Sequence, residues 1–588
     1  MPLSTQRKLK SSFVRAICDL CGEKQPRPYV IIIKVTEEKL THFSLMEYYK
    51  GTQLARVLDL MLIILLVFFI LYTPLPFGSV QNLSIAIIEL FSIATLVLWM
   101  IKLCFCGRRG VRDHFRKVYE QESAEFKKQP FFNRHYWLAR VFRLITFGKW
   151  PRKYTAHELV EEEDDPSKHR MAYFSLFGYP VKNTGLEVIG ISFLLLMALQ
   201  LIPLPAVLVR IVSPATSDLY RSAAMAAQTS IYFHPLSLNP FATFSKLLLF
   251  TAYFIIYLVV VNNIRSRQLF FVILYAIFVS AVFQGVYGLY EFLSGNHHIF
   301  QYTKKYGLDS ATGTFINRNH FAAYLELSLP LLISLVVGRI AQLKTLRGNL
   351  FSRLGHALET EGSQILLILL LIVLVSVGLI FSLSRSGISF ALISLVVFLI
   401  LYRRATERLS RRTYLVVGIV ATVALAVWIG LNPLAERFLK IGENWEEEGA
   451  RWQVWVDTFR MFLHFPLFGT GAGTFQDIFP MYRSFVADIF YRYAHKDYLQ
   501  TLSETGICSL LLVIAVMDLM LERIKRITLR TVNRRAVIQI SAFCALLSFG
   551  LHSITDFSFQ IPAIAVQASI IMGILFSHYH TESRGSHV

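Results

Sequence analysis

The chain has 588 residues, of which 54% are hydrophobic and only 17% are charged. Apolar runs of about 20 residues recur along it, which is the length that crosses a bilayer core. This composition argues against an ordinary water-soluble globular protein. It predicts an all-α integral membrane protein, because a spanning helix satisfies its own backbone hydrogen bonds. The formal net charge of +20 would also suit a nucleic-acid-binding protein, but basic loops on one side of a membrane explain most of it, so we expect no nucleic-acid partner.

The apolar runs predict about 12 transmembrane helices. In chain order the candidate spans are roughly 55–74, 83–103, 185–206, 241–261, 269–293, 320–338, 364–383, 387–402, 413–431, 501–521, 537–555 and 560–577. The eighth is short and begins beside Arg385, which leaves its boundary the least well defined. We expect each span to be a helix, since no water is present in the bilayer core to satisfy another backbone conformation.

Lysine and arginine in the short loops predict the orientation of the chain. The basic loops are 262–268, 339–363, 403–412 and 522–536. Successive loops alternate between the two sides of the membrane. The short loops 75–82 and 556–559 belong to the side opposite the basic loops, and they contain no lysine or arginine. We therefore place the basic loops and both termini in the cytoplasm, and the other loops on the outer side.

Polar insertions divide the chain further. The predicted organisation is a cytoplasmic N-terminal segment (1–54), two transmembrane helices (55–103), a cytoplasmic insertion (104–184), a membrane domain (185–578) with a large outer loop (432–500), and a cytoplasmic tail (579–588). Within the cytoplasmic insertion, Phe131 to Trp150 mixes aromatic and basic residues. This stretch suits either an amphipathic helix on the membrane surface or a solvated connector.

The segment from Ala494 to Gln500 carries His495, Lys496 and Asp497 at the end of a polar loop, just before an apolar run. A histidine can accept a proton near neutral pH, so His495 is a candidate general base. Lys496 and Asp497 are candidate substrate-binding residues beside it. The alternative for His495 is an interfacial histidine that bonds only to backbone. Three ionisable side chains together at a membrane surface indicate that the protein binds a polar or charged substrate there.

Two arginines occur in similar settings. Arg385 separates two apolar runs, and an arginine at membrane depth is costly and usually marks a substrate path or a buried pair. Arg451 lies at a predicted helix start in the outer loop. A guanidinium binds phosphate oxygens in two-pronged fashion, so both predict a lipid-linked anionic substrate. The alternatives are snorkelling to the interface for Arg385 and pairing with Glu446, Glu447 or Glu448 for Arg451.

Arg318 and Asn319 begin the sixth span and are candidate substrate-binding residues, although Asn317 to Asn319 also suit an ordinary helix N-cap. Several catalytic signatures are missing from the sequence. No outer loop has an Asp-x-Asp pair, and the chain has no P-loop, H-E-x-x-H or G-x-S-x-G motif. We therefore expect neither a metal ion nor a cofactor, and we expect arginines to neutralise an anionic leaving group.

These motifs together resemble those of the O-antigen ligase and polysaccharide polymerase superfamily of bacterial inner-membrane proteins. The matching segments are 313–322, 384–387, 451–455 with 466–471, 494–500 with Glu504 and Gly506, and 552–557. The resemblance covers roughly 185–578. It departs from the family pattern at Lys496, where an asparagine usually follows the histidine, and in the insertion 104–184.

The resemblance implies a metal-independent, inverting glycosyltransferase that acts on the periplasmic face of the inner membrane. Its donor would be an undecaprenyl-diphosphate-linked glycan, and its acceptor either lipid A–core or a glycan. Arg385 and Arg451 would hold the diphosphate, and His495 would activate or orient the acceptor hydroxyl. Arg318 and Asn319 would contact the donor or the glycan.

Several functions remain open at this stage. A ligase would transfer a finished glycan to lipid A–core, and a polymerase would transfer a growing glycan to another lipid-linked unit. A protein-glycosylating relative is a third enzyme option. A lipid-linked glycan flippase or a secondary transporter is the non-enzyme alternative, but charged residues in mid-span and paired repeats are more typical of that class. The candidate residues here cluster at one predicted face, which favours catalysis.

Overall fold

The computed structural model of the protein describes residues 53–106, 173–176, 179–264, 267–342, 350–406, 445–486, 490–529 and 534–577. The predictions for the N-terminal segment before residue 53, for the stretch Phe131 to Trp150, for the ninth span at 413–431 and for the tail 579–588 lie outside these residues. The described part is mostly helical, which confirms the predicted class of a helical membrane protein.

The helices differ widely in length. In chain order they are α1 Gln53–Tyr72, α2 Asn82–Cys106, α3 Leu186–Leu201, α4 Ala206–Val212, α5 Pro214–Ala226, α6 Pro240–Asn263, α7 Arg267–Leu293, α8 Arg318–Gln342, α9 Leu350–Phe381, α10 Arg385–Thr406, α11 Trp445–His464, α12 Phe475–Ile478, α13 Asp497–Thr528, α14 Arg534–His552 and α15 Pro562–Phe576. Short 3₁₀ turns occur at Phe77–Ser79, Phe479–Met481 and Ser558–Gln560.

In the described residues, three small antiparallel sheets accompany the helices and were not predicted from the sequence. They pair β1 Tyr173–Leu176 with β2 Tyr179–Lys182, β3 Leu204–Pro205 with β4 Phe233–His234, and β5 His298–Ile299 with β6 Tyr302–Thr303. Their strands are two to four residues long, which is too short for a hydropathy pattern to distinguish them from loops.

Seven helices of the described part are long and apolar enough to cross a membrane: α1, α2, α6, α7, α8, α10 and α14. The apolar helices α3 and α15 and the apolar end of α9, Leu366–Phe381, are shorter. The count of twelve is therefore not confirmed. Helix α13 covers the predicted tenth span, but non-helical backbone at Gly506 interrupts it, and Glu504, Asp518 and Glu522 reduce its apolar length.

Helix α8 lies at the centre of the bundle and packs against α7, α9, α10, α14 and α15. Clusters of polar side chains lie at both ends of the bundle. At one end, the Nζ atom of Lys102 donates to the Asn263 Oδ1 atom at 2.6 Å and ion-pairs with Asp59. The candidate site lies at the other end. Side chains that meet in such clusters bond to one another, and this matters because a buried polar group is costly unless it finds a hydrogen-bonding partner.

The loop 465–474, which joins α11 to α12, lies across the interruption in α13. The backbone N–H of Ile507 donates to the Pro466 carbonyl at 2.8 Å, and that of Gly471 donates to the Glu504 carbonyl at 2.9 Å. Gly506 has φ of 70°, and a Cβ atom added to it would lie 2.1 Å from the Leu467 carbonyl oxygen. Glycine is required here because the two backbones touch and because φ is positive.

Replacing Gly506 by alanine should lower the free energy of unfolding by more than about 3 kcal/mol, because the strained φ and the backbone overlap both contribute. Gly295→Ala is the matched control, since Gly295 has φ of 65° but no atom within 4 Å of an added Cβ. The control should lose only about 1–2 kcal/mol, the cost of left-handed backbone. Thermal unfolding in detergent measures both. Equal losses would mean that the backbone contact contributes nothing.

Candidate functional site

His495 and Asp556 form the centre of the site. The Nδ1 atom of His495 lies 3.7 Å from the Asp556 Oδ1 atom. His495 has φ of 53°, a strained conformation for a non-glycine residue that persists only where the surroundings impose it. The imidazole packs edge-on against the Phe557 ring at 4.7 Å. Its side chain is 27% exposed and that of Asp556 is 3% exposed, so a partly accessible imidazole is backed by a buried carboxylate.

Asp556 is held as a carboxylate by its surroundings. The Nδ2 atom of Asn319 donates to the Asp556 Oδ2 atom at 2.7 Å, and the Phe557 N–H donates to the Oδ1 atom at 2.8 Å. Burial alone would raise the pKa of Asp556, but the contact with His495 and the nearby histidines His320 and His552 outweigh it and hold this pKa well below its usual range. Asp556 is therefore an ionised acceptor that can orient the Nδ1–H of His495.

Asp497, the first residue of α13, joins two segments of the site. Its N–H donates to the carbonyls of Ser553 at 3.0 Å and Asp556 at 3.2 Å, and its Oδ2 atom accepts from the Phe559 N–H at 2.8 Å. Burial raises the pKa of Asp497 to about 8, and the charge of Asp556 adds to the effect. Asp497 is 3% exposed, so it links the turn after α14 to the His495 segment. Its predicted contact with a substrate stays a prediction.

The start of α10 connects Arg385 to this centre. Ser384 precedes the helix, and its Oγ atom accepts from the Gly387 N–H at 3.3 Å, which is the geometry of an N-cap. The same hydroxyl donates to the Asn319 Oδ1 atom at 2.8 Å. Arg385 is the first helical residue and is partly exposed. The contacts from Ser384 through Asn319 to Asp556 therefore fix the helix start relative to His495.

Helix α11 brings Arg451 toward the same centre from another side. The Nζ atom of Lys496 lies 4.5 Å from the centre of the Trp455 ring, a cation–π contact. Arg451 lies one helical turn before Trp455, on the same face of α11, because residues i and i+4 are neighbours on a helix. The charge of Arg451 also acts on Tyr491. Lys496, the neighbour of His495, is thus the link to the Arg451 helix.

The two candidates at the start of α8 have different surroundings. Arg318 ion-pairs with Asp309, the Nη1 to Oδ2 distance being 3.3 Å. The side-chain amide of Asn319 is used at both ends, by Asp556 and by Ser384. Asn319 therefore organises the site. The prediction that Arg318 and Asn319 bind substrate stays a prediction.

Sequence reasoning gave no role to Asp556 or Ser384, although both lie in the quoted motifs. The available signal for Asp556 was a single carboxylate in a short turn between two apolar runs. Glu504 belongs to the quoted motif that contains His495. It lies at the loop over the α13 interruption, where it accepts from the N–H groups of Gly473 at 2.8 Å and Phe475 at 3.1 Å. It is 5% exposed, so it anchors the loop.

Residues 370–514 match a family model described as O-antigen ligase. Over these residues the chain is similar to the O-antigen ligase family. The match confirms the superfamily that the motifs predicted. A search of curated proteins gave no match to the chain.

The segment similar to the O-antigen ligase family runs from the second half of α9 through α10 and α11 into α13 and contains Arg385, Arg451 and His495. Asn319 and Asp556 complete the site from outside the matched segment. The family and the seven apolar helices together indicate a multi-pass membrane protein of lipopolysaccharide biosynthesis with a glycosyltransferase-like activity. Among the described residues no group of three or more His, Cys, Asp or Glu side chains is arranged to hold a metal ion.

Proposed function

We propose that this protein is an O-antigen ligase that transfers a glycan from undecaprenyl diphosphate to lipid A–core on the periplasmic face of the inner membrane. The observation that supports this proposal is the linkage of two arginine-bearing helices to one histidine. Arg385 is joined to His495 through Ser384, Asn319 and Asp556. Arg451 is joined to the His495 segment through the contact of Trp455 with Lys496.

In this proposal Arg385 and Arg451 hold the diphosphate of the donor. Each guanidinium can make two parallel hydrogen bonds to phosphate oxygens. The unpaired N–H groups and the dipole of a helix N-terminus also favour an anion, so Arg385 at the start of α10 is well placed. As the glycosidic bond breaks, negative charge grows on the diphosphate, and charges fixed in advance stabilise it at no reorganisation cost.

His495 acts on the acceptor in the same step. With Asp556 accepting from Nδ1–H, the Nε2 atom is the free base that takes the proton of an acceptor hydroxyl. The hydroxyl oxygen forms the new bond to the anomeric carbon, and the diphosphate leaves with the electrons of the broken bond. A single displacement of this kind inverts the anomeric centre.

A polymerase that uses a second lipid-linked glycan as acceptor is the alternative, because it needs the same chemistry. A flippase or transporter is the further alternative. It is less well supported, since Arg385 and His495 lie at the starts of helices, whereas a transport path would place such residues in mid-span.

Deletion of the gene followed by gel profiles of surface and lipid-linked glycans tests the proposal. A ligase predicts loss of capped lipopolysaccharide while lipid-linked polymer persists. Loss of all chains longer than one repeat would instead identify a polymerase. Lipid-linked glycan that accumulates on the cytoplasmic side would identify a flippase. The His495→Ala protein should behave like the deletion, which ties the phenotype to the site.

Transfer by the purified protein should not need a divalent metal ion, because Arg385 and Arg451 carry the leaving-group charge. The rate of transfer should be unchanged after treatment with a chelator such as EDTA and after addition of magnesium or manganese. Loss of activity with the chelator and its return with either metal would show that groups other than the arginines hold the diphosphate.

A further inference from the structure

Behind the site, Glu326 on α8 and His552 at the end of α14 form a buried pair. The His552 Nδ1 atom lies 3.1 Å from the Glu326 Oε1 atom, and both side chains are 0% exposed. A buried ionisable pair is costly and is weak evidence for stability, because apolar side chains of similar size often serve as well. A contribution to stability therefore does not explain the Glu326–His552 pair, whereas a role in fixing the arrangement of the helices would.

The pair continues into the site through two hydroxyl groups. The Nε2 atom of His552 lies 3.4 Å from the Ser386 Oγ atom, which lies 3.3 Å from the Ser384 Oγ atom. Ser384 bonds Asn319, and Asn319 bonds Asp556. A continuous series of polar contacts thus runs from Glu326 to the carboxylate beside His495, past the start of the helix that carries Arg385.

The hydrogens available to each group determine which group donates and which accepts at every contact of this series. Asp556 is an ionised acceptor, so the Asn319 amide must direct its NH₂ to Asp556 and its oxygen to Ser384. The one hydroxyl hydrogen of Ser384 therefore goes to Asn319, and Ser386 must donate to Ser384. With its hydrogen used, Ser386 can only accept from His552. The Nε2 atom of His552 must then carry a hydrogen, while Nδ1 and Glu326 share a second one.

We propose that His552, held by Glu326, is a positioning residue whose Nε2–H begins a one-way series of hydrogen bonds through Ser386, Ser384 and Asn319 to Asp556. This series sets the distance between Arg385 at the start of α10 and His495 beside Asp556. It orients groups and does not conduct protons, because the Asn319 amide passes no proton without changing its tautomer. The effect on transfer rests on the proposed function, whereas the direction of the hydrogen bonds does not.

Several charged or titratable groups surround His552. On α8 they are Glu326 and His320, and at the start of α13 there is Asp497. Asp556 lies in the turn that follows its own helix, and Arg385 begins the helix of Ser386. Of these groups, Glu326 is the one that contacts the ring at Nδ1.

Nuclear magnetic resonance of the full-length protein labelled with ¹⁵N-histidine tests the direction. The His552 signals are assigned by their loss in His552→Gln. We expect the Nε2 resonance of His552 to be that of a protonated nitrogen in the wild type. An unprotonated Nε2 in the wild type would overturn the proposal, whether or not the protein transfers glycans.

Kinetics of the Glu326→Gln and Ser386→Ala variants test the positioning. Each should lower kcat by about 10–100-fold, since a displacement near 1 Å costs about that much, with a smaller change in the KM of the donor. The double variant should be no slower than either single variant, because both break one series of contacts. Ser386→Thr keeps the hydroxyl and should restore most of the rate.

Ser328→Ala is the matched control. Ser328 also lies buried on α8, and its Oγ atom accepts from the Gln567 Nε2 atom at 2.6 Å, outside the series. This variant should keep the wild-type kcat even if its thermal stability falls. Rate losses in Ser328→Ala equal to those in Glu326→Gln, or independent losses in the double variant, would overturn the positioning role.

Discussion

His495→Ala should slow glycan transfer by about 10²–10⁴-fold, the usual contribution of general-base catalysis, while the lipid-linked donor stays bound. The reason is that His495 acts on the acceptor hydroxyl, whereas Arg385 and Arg451 hold the diphosphate. Single-turnover rates and a separate donor-binding measurement distinguish the two effects. A variant that binds donor much more weakly but turns over at the normal rate would make His495 a binding residue.

A substitution of Asp556 provides a second check on the role of His495. Asp556 stays ionised at working pH, because its pKa lies well below its usual range. Asp556→Asn, which keeps the shape but removes the charge, should also slow transfer. Normal turnover in Asp556→Asn would exclude its orienting role.

Arg385→Ala and Arg451→Ala should each abolish detectable transfer while the protein stays at its normal level in the membrane. The leaving diphosphate would lose a positive charge that the protein holds in place beside it. Electrostatic stabilisation of this kind is usually the largest single contribution to catalysis. The lysine variants should also be impaired, because an ammonium group cannot reproduce the two-pronged phosphate contact. Transfer assays with membranes of equal protein content measure all four variants.

Arg460→Ala is the matched control for Arg451. Arg460 lies on the same helix, is 58% exposed and ion-pairs with Asp457 three residues earlier. It should transfer at nearly the wild-type rate, because its guanidinium is mostly exposed and the buried Asp457 keeps its hydrogen bonds from the N–H and hydroxyl groups of Ser484. An equal loss of activity in this control would mean that the arginines act only through the overall surface charge. Near-normal activity in the lysine variants would mean that Arg385 and Arg451 contribute a positive charge but no two-pronged contact.

Hydropathy alone determined where most of the helices lie. The predicted spans 241–261 and 269–293 correspond to α6 Pro240–Asn263 and α7 Arg267–Leu293. Such spans are predictable because the length and composition of an apolar run are local properties of the chain. Residue chemistry likewise marked His495, Arg385 and Arg451, since ionisable groups at a membrane surface are costly unless they have a use.

The sequence failed where the outcome depended on contacts between distant segments. The interruption of α13 at Gly506 is set by the loop from Pro466 to Gly471 that lies against it. Local hydropathy carries no record of that contact, so it predicted a single span at 501–521 with no interruption at Gly506.

Only the tertiary structure paired His495 with Asp556 and gave Asn319 its place between Asp556 and Ser384. Asn319 and Asp556 are 237 positions apart in the chain. Each is an ordinary polar residue beside an apolar run, and such a residue does not specify its partner. The partner is fixed only when α8, α10 and α14 pack together, because a buried polar group must then bond to whichever polar group the packing brings within reach.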